Sequence, residues 1–164
     1  MLASAIPTSI SRDELNLLQA VCAGKRVYEA GALLGASTCH IAQVAKRVIS
    51  VDPHNGYPRH NPRPTWETYC RNIAPYRNIE SHRDVFQNVL RANLDVAWAD
   101  LTGRRDVMLD FIQQFQTTPI LAIHDYGRSA CGDSSDVVDW FIRRTGCKAF
   151  CVGTLIVLEQ RCAS

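Results

Sequence analysis

Several strand-like runs in this chain stop at a residue able to hold a ligand or move a proton. Val27-Tyr28 runs into Glu29, Val48-Ile49-Ser50-Val51 into Asp52, and Ile79-Glu80-Ser81-His82-Arg83 into Asp84. Leu94-Asp95-Val96-Ala97-Trp98-Ala99 runs into Asp100, and Pro119-Ile120-Leu121-Ala122-Ile123 into His124-Asp125-Tyr126. An ionised carboxylate only accepts hydrogen bonds, so one at a strand tip suits the hydroxyls of a sugar. Two carboxylates close together suit a hard divalent cation. A histidine, with an ordinary pKa near ~6.5, suits proton removal at neutral pH.

The turn after the first run says which ligand. Gly31 and Gly35 cross it, and Ser37-Thr38 opens the next helical stretch. Glycine permits close backbone approach and φ values closed to other residues. Parallel strands need a crossover helix, and their ligand crevice lies outside the carboxyl ends. Asp52 stands where dinucleotide folds put the acid that holds ribose, about 20 residues past the glycine turn. Here the spacing is G-x-x-x-G, not G-x-G-x-x-G, and Leu33-Leu34 occupy the place of a pyrophosphate. The expected ligand is a nucleoside without a phosphate bridge. A nicotinamide-dependent oxidoreductase is correspondingly disfavoured.

The elements that must position these groups alternate along the chain. Ser11-Arg12-Asp13-Glu14 is a capping box before Leu15, Leu18 and Cys22, and Gly24 stops that helix. A strand over 26–30 precedes the glycine turn, and the helix after it carries Ile41, Val44 and Ala45 on one face. A strand over 48–52 leads into 53–65, a loop with four prolines, two histidines, a tyrosine and two arginines. That loop reads either as a mobile surface segment or as a substrate-facing lid. A helix with Trp66, Tyr69 and Ile73 on one face ends at Pro75, and a strand over 79–83 is followed by a short helix with Val85, Val89 and Leu90. A strand over 94–100 leads to a helix with Met108, Phe111, Ile112 and Phe115 at helical spacing. A strand over 119–124, a loop over 127–134 and a helix with Val137, Val138, Phe141 and Ile142 follow, and Gly146 ends that helix. Strands over 149–152 and 154–159 join at Gly153, a link short enough to require antiparallel pairing. The fold class is α/β, a doubly wound sheet with helices on both faces.

At 164 residues the chain fits one domain, 1–164, and its net charge of +2 neither requires nor excludes nucleic acid. No apolar run approaches the ~20 residues that span a bilayer, and the N-terminus lacks the positive region of a signal peptide. Seven cysteines without a Cys-x-x-Cys read as reduced thiols in a cytoplasmic protein, several buried, with a zinc site the lesser reading. Arg59, Arg63, Arg71, Arg77, Arg104, Arg105, Arg143 and Arg144 read as a solvated surface.

Glu29-x-Gly31-x-x-x-Gly35-x-Ser37-Thr38, with Asp52 after the next strand, resembles motifs I and II of class I S-adenosylmethionine-dependent methyltransferases. The alternation covers residues 11 to 159. The resemblance implies a Rossmann-like, seven-stranded, mostly parallel sheet whose last strand is antiparallel. It implies cofactor contacts from Glu29, Gly31, Gly35, Ser37, Thr38, Asp52, Pro53, His54, Asp84, Val85 and Asp100. Asp84 falls where the family often meets the adenine amino group, and Asp100 matches the motif IV carboxylate. A fifth strand ending in His124-Asp125-Tyr126 resembles the small-molecule O-methyltransferase branch, whose fifth strand ends in Asp-Asp or His-Asp.

Two chemistries follow for a hydroxyl acceptor. His124 acts as general base, with Asp100 and Asp125 beside it, or Asp100 and Asp125, with His124, hold a divalent cation. Catechol-type enzymes place an Asp-Asn pair after strand five; Tyr126 stands where that Asn would fall, which ranks metal-free chemistry first. The implied partner is a small-molecule substrate, with no membrane and no nucleic acid indicated and a homodimer left open. The competing readings are a non-catalytic cofactor-binding module on the same fold and, below it, an NAD-dependent oxidoreductase.

Overall fold

The structure, a computed structural model, describes residues 5–56, 63–128 and 132–160. The strands are β1 (Arg26–Ala30), β2 (Arg47–Val51), β3 (Ile79–His82), β4 (Val96–Ala99), β5 (Ile120–Ile123), β6 (Lys148–Val152) and β7 (Leu155–Glu159). The helices are α1 (Arg12–Cys22), α2 (Ala36–Ala42), α3 (Trp66–Ile73), α4 (Arg105–Phe115) and α5 (Gly132–Thr145). The strands form one seven-stranded sheet in the order β3-β2-β1-β4-β5-β7-β6. The pairs from β3 to β5 are parallel, and β7 runs antiparallel to both β5 and β6, as the Gly153 reversal requires. The connection order reverses at β1, whose neighbours are β2 and β4. Ligand crevices open at the carboxyl ends beside such a switch point.

Strand periodicity divides the core into two layers. Ala97 and Ala99 of β4 face Tyr28, Phe111, Phe115 and Phe141, under α4 and α5. Val96 and Trp98 face Leu15, Leu18, Val27 and Ile41, under α1 and α2. β4 and β5 are continuous apolar runs because both of their faces are covered, and β1 and β2 are interrupted only by the buried Glu29 and Ser50. β6 is the outer strand, and all five of its residues are exposed, Phe150 and Val152 among them.

The capping box of α1 forms as expected: Ser11 Oγ accepts from the Glu14 amide, and Glu14 Oε2 accepts from the Ser11 amide at 2.8 Å. α2 is shorter than its apolar spacing suggested, and ends at Ala42 with Val44 and Ala45 beyond it. Tertiary capping explains this. Asn78 Nδ2 donates to the carbonyls of Ala42 and Ala45, both at 2.9 Å, and the Gly24 amide takes Val44 O at 2.8 Å. The helix expected around Val85–Leu90 is only a 3-10 turn over Phe86–Asn88, and Leu90 is exposed. No helix among the described residues is long and apolar enough to cross a membrane. Cys22, Cys39, Cys70, Cys147 and Cys151 are free thiols, and burial pushes Cys22 up to about 12; Cys131 and Cys162 lie outside the described residues.

Candidate active site

The glycine turn is built by contacts that leave no room for side chains. Gly31 has φ +89, and a Cβ there would sit 2.1 Å from the Asp100 carbonyl oxygen. Gly35 has φ +84, and a Cβ there would meet the Tyr69 ring at 3.0 Å. The close approach that requires glycine is therefore to β4 and α3. Asp52 closes the turn from β2: its Oδ2 accepts from the amides of Ala32 and Leu33, both at 2.9 Å, and its Oδ1 from the His54 amide at 2.6 Å. A carboxylate offers about four lone-pair sites. With three engaged by the turn, Asp52 has capacity for one further donor.

Glu29, Ser37 and Thr38 lie beneath this turn as an internal network. Glu29 is fully buried and accepts from Ser37 Oγ at 2.6 Å, Thr38 Oγ1 at 2.5 Å and Ser50 Oγ at 2.7 Å. Burial pushes its carboxyl up to about 7, against the pull of the three hydroxyls and with a further push from Asp100. Ser50 was missed in the sequence, although a serine inside an apolar strand was the available signal. Its register partner across the ladder is Glu29.

His54 also faces inward. It is buried with φ +53, its Nδ1 lies 2.9 Å from Thr65 Oγ1, and its ring packs against Trp66 and Tyr69 at 5.1 and 4.6 Å. Burial pulls its pKa down, outweighing the nearby Asp52. Pro53 is exposed beside it. Of the 53–65 loop, residues 57–62 lie outside the described residues. Asp84 is exposed and borders the 3-10 turn: its Oδ1 accepts from the Val85 amide at 2.7 Å and from Asn88 Nδ2 at 2.9 Å. Val85 is exposed next to it.

The ends of β4 and β5 bring together Asp100, His124 and Asp125. His124 Nδ1 lies 3.3 Å from Asp100 Oδ1 and 3.3 Å from Asp125 Oδ1. The imidazole is fully buried, whereas the Asp100 and Asp125 side chains are 28% and 22% exposed, so only the carboxylates open onto the crevice. Burial lowers the His124 pKa, but Asp100, then Asp125 and Glu14, outweigh it and the net shift is upward. Donor atoms of the three residues all lie within 4.8 Å of one another. Neighbouring ligands of a six-coordinate cation with bonds of about 2.1–2.4 Å stand about 3 Å apart, so this oxygen and imidazole set fits a divalent cation. Tyr126 is not part of that set. Its hydroxyl donates to Asp139 Oδ1 of α5 at 2.7 Å, tying the end of β5 to the helix that follows it.

The opposite edge of the sheet is different in kind. A cavity of about 500 Å³ at the amino ends of β1–β3 is lined by Arg26, Lys46, Arg47, Arg77, Asn78, Ile79 and Glu80. It is remote from the carboxyl-end groups and belongs to the charged surface, with Glu80 paired to both Arg47 and Arg91.

No family model matches the chain, and no curated protein matches it. Solved structures do. An rRNA methylase from Streptococcus thermophilus aligns over 95% of this chain and 99% of its own, with TM-score 0.68 and 18% identity. The O-methyltransferase NovP aligns over 93% and 81%, with TM-score 0.75 and 14% identity. A fibrillarin from Aeropyrum pernix with natively bound S-adenosyl-L-methionine aligns over 86% and 68%, with TM-score 0.55 and 13% identity. Together with the β3-β2-β1-β4-β5-β7-β6 order, these likenesses show that the chain has the Rossmann-like fold of the class I methyltransferases.

Proposed function

We propose that this chain is an S-adenosylmethionine-dependent methyltransferase acting on the hydroxyl of a small molecule. The observation that carries the proposal is the contiguity of two sites at one sheet edge. The turn that would hold the cofactor packs, through Gly31, directly on the backbone of Asp100, whose side chain belongs to the Asp100–His124–Asp125 group. Methyl transfer from a sulfonium is an in-line displacement with an activated donor. The protein must hold the acceptor in line and take its proton. A cofactor seated on the turn has its reactive end next to groups suited to that task.

The turn fits a nucleoside in chemistry as well as in place. Asp52 keeps one acceptor site for a ribose hydroxyl, and Asp84 Oδ2 is without a partner among the described residues. Asp100 is the group that meets the acceptor hydroxyl. It takes the proton, and His124 Nδ1 behind it shares that proton across the 3.3 Å contact. His124 thus acts through Asp100, since its own ring does not reach the crevice. A second reading rests on the donor spacing: Asp100, His124 and Asp125 would hold a divalent cation, which would orient and acidify the hydroxyl.

Calorimetry with S-adenosylmethionine and with NAD tests the cofactor. Heat with NAD and none with S-adenosylmethionine would overturn the proposal. Methyl transfer to a panel of small phenols and alcohols, with an RNA fraction alongside, tests the acceptor. Turnover on RNA alone would replace the small-molecule reading, and cofactor binding without any turnover would leave a binding module. Repeating the active assay with magnesium and with a chelator decides between Asp100 as sole proton acceptor and the cation.

A further inference from the structure

The cavity at the amino ends of β1–β3 gathers charge as the crevice does, but of the opposite sign. Arg26 and Arg47 open β1 and β2 and are register partners, so their side chains leave neighbouring strands about 4.8 Å apart. Lys46 stands one residue before β2, and Arg77 two residues before β3. A smaller cavity of about 170 Å³ shares Arg26, Arg47 and Glu80 with the first and adds Arg91. Against these five cations stand two carboxylates, Glu80 and Asp95. Glu80 Oε2 meets Arg47 at 2.5 Å, and its Oε1 meets Arg91 at 2.6 Å and His82 Nε2 at 2.7 Å. Asp95 Oδ2 accepts from the Arg26 amide at 2.8 Å and lies 3.5 Å from its Nε. Lys46 and Arg77 form no ion pair among the described residues. In a chain whose net charge is +2, this excess of positive charge is local.

The backbone under the cations is tied down. The Lys46 amide donates to the Lys25 carbonyl at 2.9 Å, and the Val48 amide to the Asn78 carbonyl at 2.9 Å. Asn78 is itself anchored to the end of α2 through its side chain. The three strand entries therefore keep Arg26, Lys46, Arg47 and Arg77 in fixed relation, and binding has only side chains to order. An arginine presents five N–H donors in a planar fork. Glu80 takes one η nitrogen of Arg47, which orients that fork and leaves its other N–H groups for a ligand. Such forks match phosphate oxygens in pairs.

The shape says what kind of phosphate. A volume of about 500 Å³ lies in the range of small-ligand sites. Surfaces that follow single-stranded nucleic acid interleave their cations with aromatic rings that stack the bases. No aromatic residue lines either cavity. The groups present recognise phosphate and give a base no platform. We propose that this cavity binds a short oligophosphate, free or as the tail of a nucleotide, with Lys46 and Arg77 supplying the charge that no carboxylate of the protein offsets. The site goes beyond the proposed methyl transfer and does not depend on it, since it lies across the sheet from Asp52 and Asp100.

The test is calorimetry on the full chain at low salt, with tripolyphosphate, ATP and a single-stranded RNA oligonucleotide as separate ligands. Lys46→Met/Arg77→Met removes the two cations without carboxylate partners, and Arg143→Met/Arg144→Met removes the same charge from α5. All four residues are exposed, so both variants keep the fold, and their thermal midpoints check this. The expected result is that tripolyphosphate binds wild type and the α5 variant alike, and binds Lys46→Met/Arg77→Met roughly 10–100-fold more weakly. ATP binding more tightly than tripolyphosphate identifies a nucleotide as the source, and the reverse order a free oligophosphate. No heat with tripolyphosphate, or equal weakening in the two variants, would overturn the inference. So would RNA that binds more tightly than tripolyphosphate and weakens in Lys46→Met/Arg77→Met, because this face would then be a nucleic-acid surface.

Discussion

The buried carboxyl of Glu29 makes stability depend on pH in a direction opposite to that of most carboxylates. Its ordinary value of 4.5 is raised to about 7, burial outweighing the three hydroxyls that hold it. Between those values the folded chain keeps a proton that the unfolded chain has released, so stability falls as pH rises. The interval from 4.5 to about 7, at about 1.4 kcal/mol per unit, amounts to about 3–4 kcal/mol. That contribution is fully present below pH 4.5, is lost through the window, and is constant above about 7. Other groups titrate over the same range, so the contribution is isolated by difference from Glu29→Gln. The glutamine can place its oxygen toward Thr38 and Ser50 and its amide toward Ser37. Urea unfolding of both proteins, from pH 5 to pH 8, should show the wild type losing about 2–3 kcal/mol relative to the variant. A difference that stays flat across that range would refute the reasoning and mean that Glu29 is ionised in the folded chain.

Gly31→Ala should destabilise by roughly 2–5 kcal/mol, because a methyl would lie 2.1 Å from a strand carbonyl at positive φ; an unchanged thermal midpoint would contradict this. Asp52→Ala should weaken S-adenosylmethionine binding by roughly 1–3 kcal/mol, through the freed turn amides as well as the lost ribose acceptor, and unchanged affinity by calorimetry would make Asp52 a turn anchor only. Asp100→Asn should lower kcat roughly 10²–10⁴-fold with cofactor affinity kept, and full turnover in this variant would exclude Asp100 as the proton acceptor.

Much of the sheet is legible in the sequence because its central strands are buried on both faces and so read as largely apolar runs. Gly153 between the runs 149–152 and 154–159 announces the antiparallel pair, and Ser11-x-x-Glu14 announces where α1 begins. What resists reading is whatever depends on pairs distant along the chain. Ser50 looks like an interruption of β2 until the register sets it beside Glu29. Glu14 looks like a local cap, yet two of its donors come from a residue 140 positions later. Spacing places His54 and His124 at strand ends equally well, but it cannot say that both rings turn inward. Ser37 and Thr38 likewise look like ligand contacts at a helix start, because their shared acceptor is a side chain buried one layer below.

The bond between Glu14 and Thr154 has a consequence in time. A ribosome delivers Glu14 well before Thr154, so the two cannot meet until the β6–β7 turn has left the exit tunnel. Until then the chain can carry β1 to β5 and every carboxylate of the crevice while Glu14 still lacks the two donors of Thr154. That contact joins α1 to the β6–β7 hairpin, so a product truncated before the hairpin would bear the crevice residues without it.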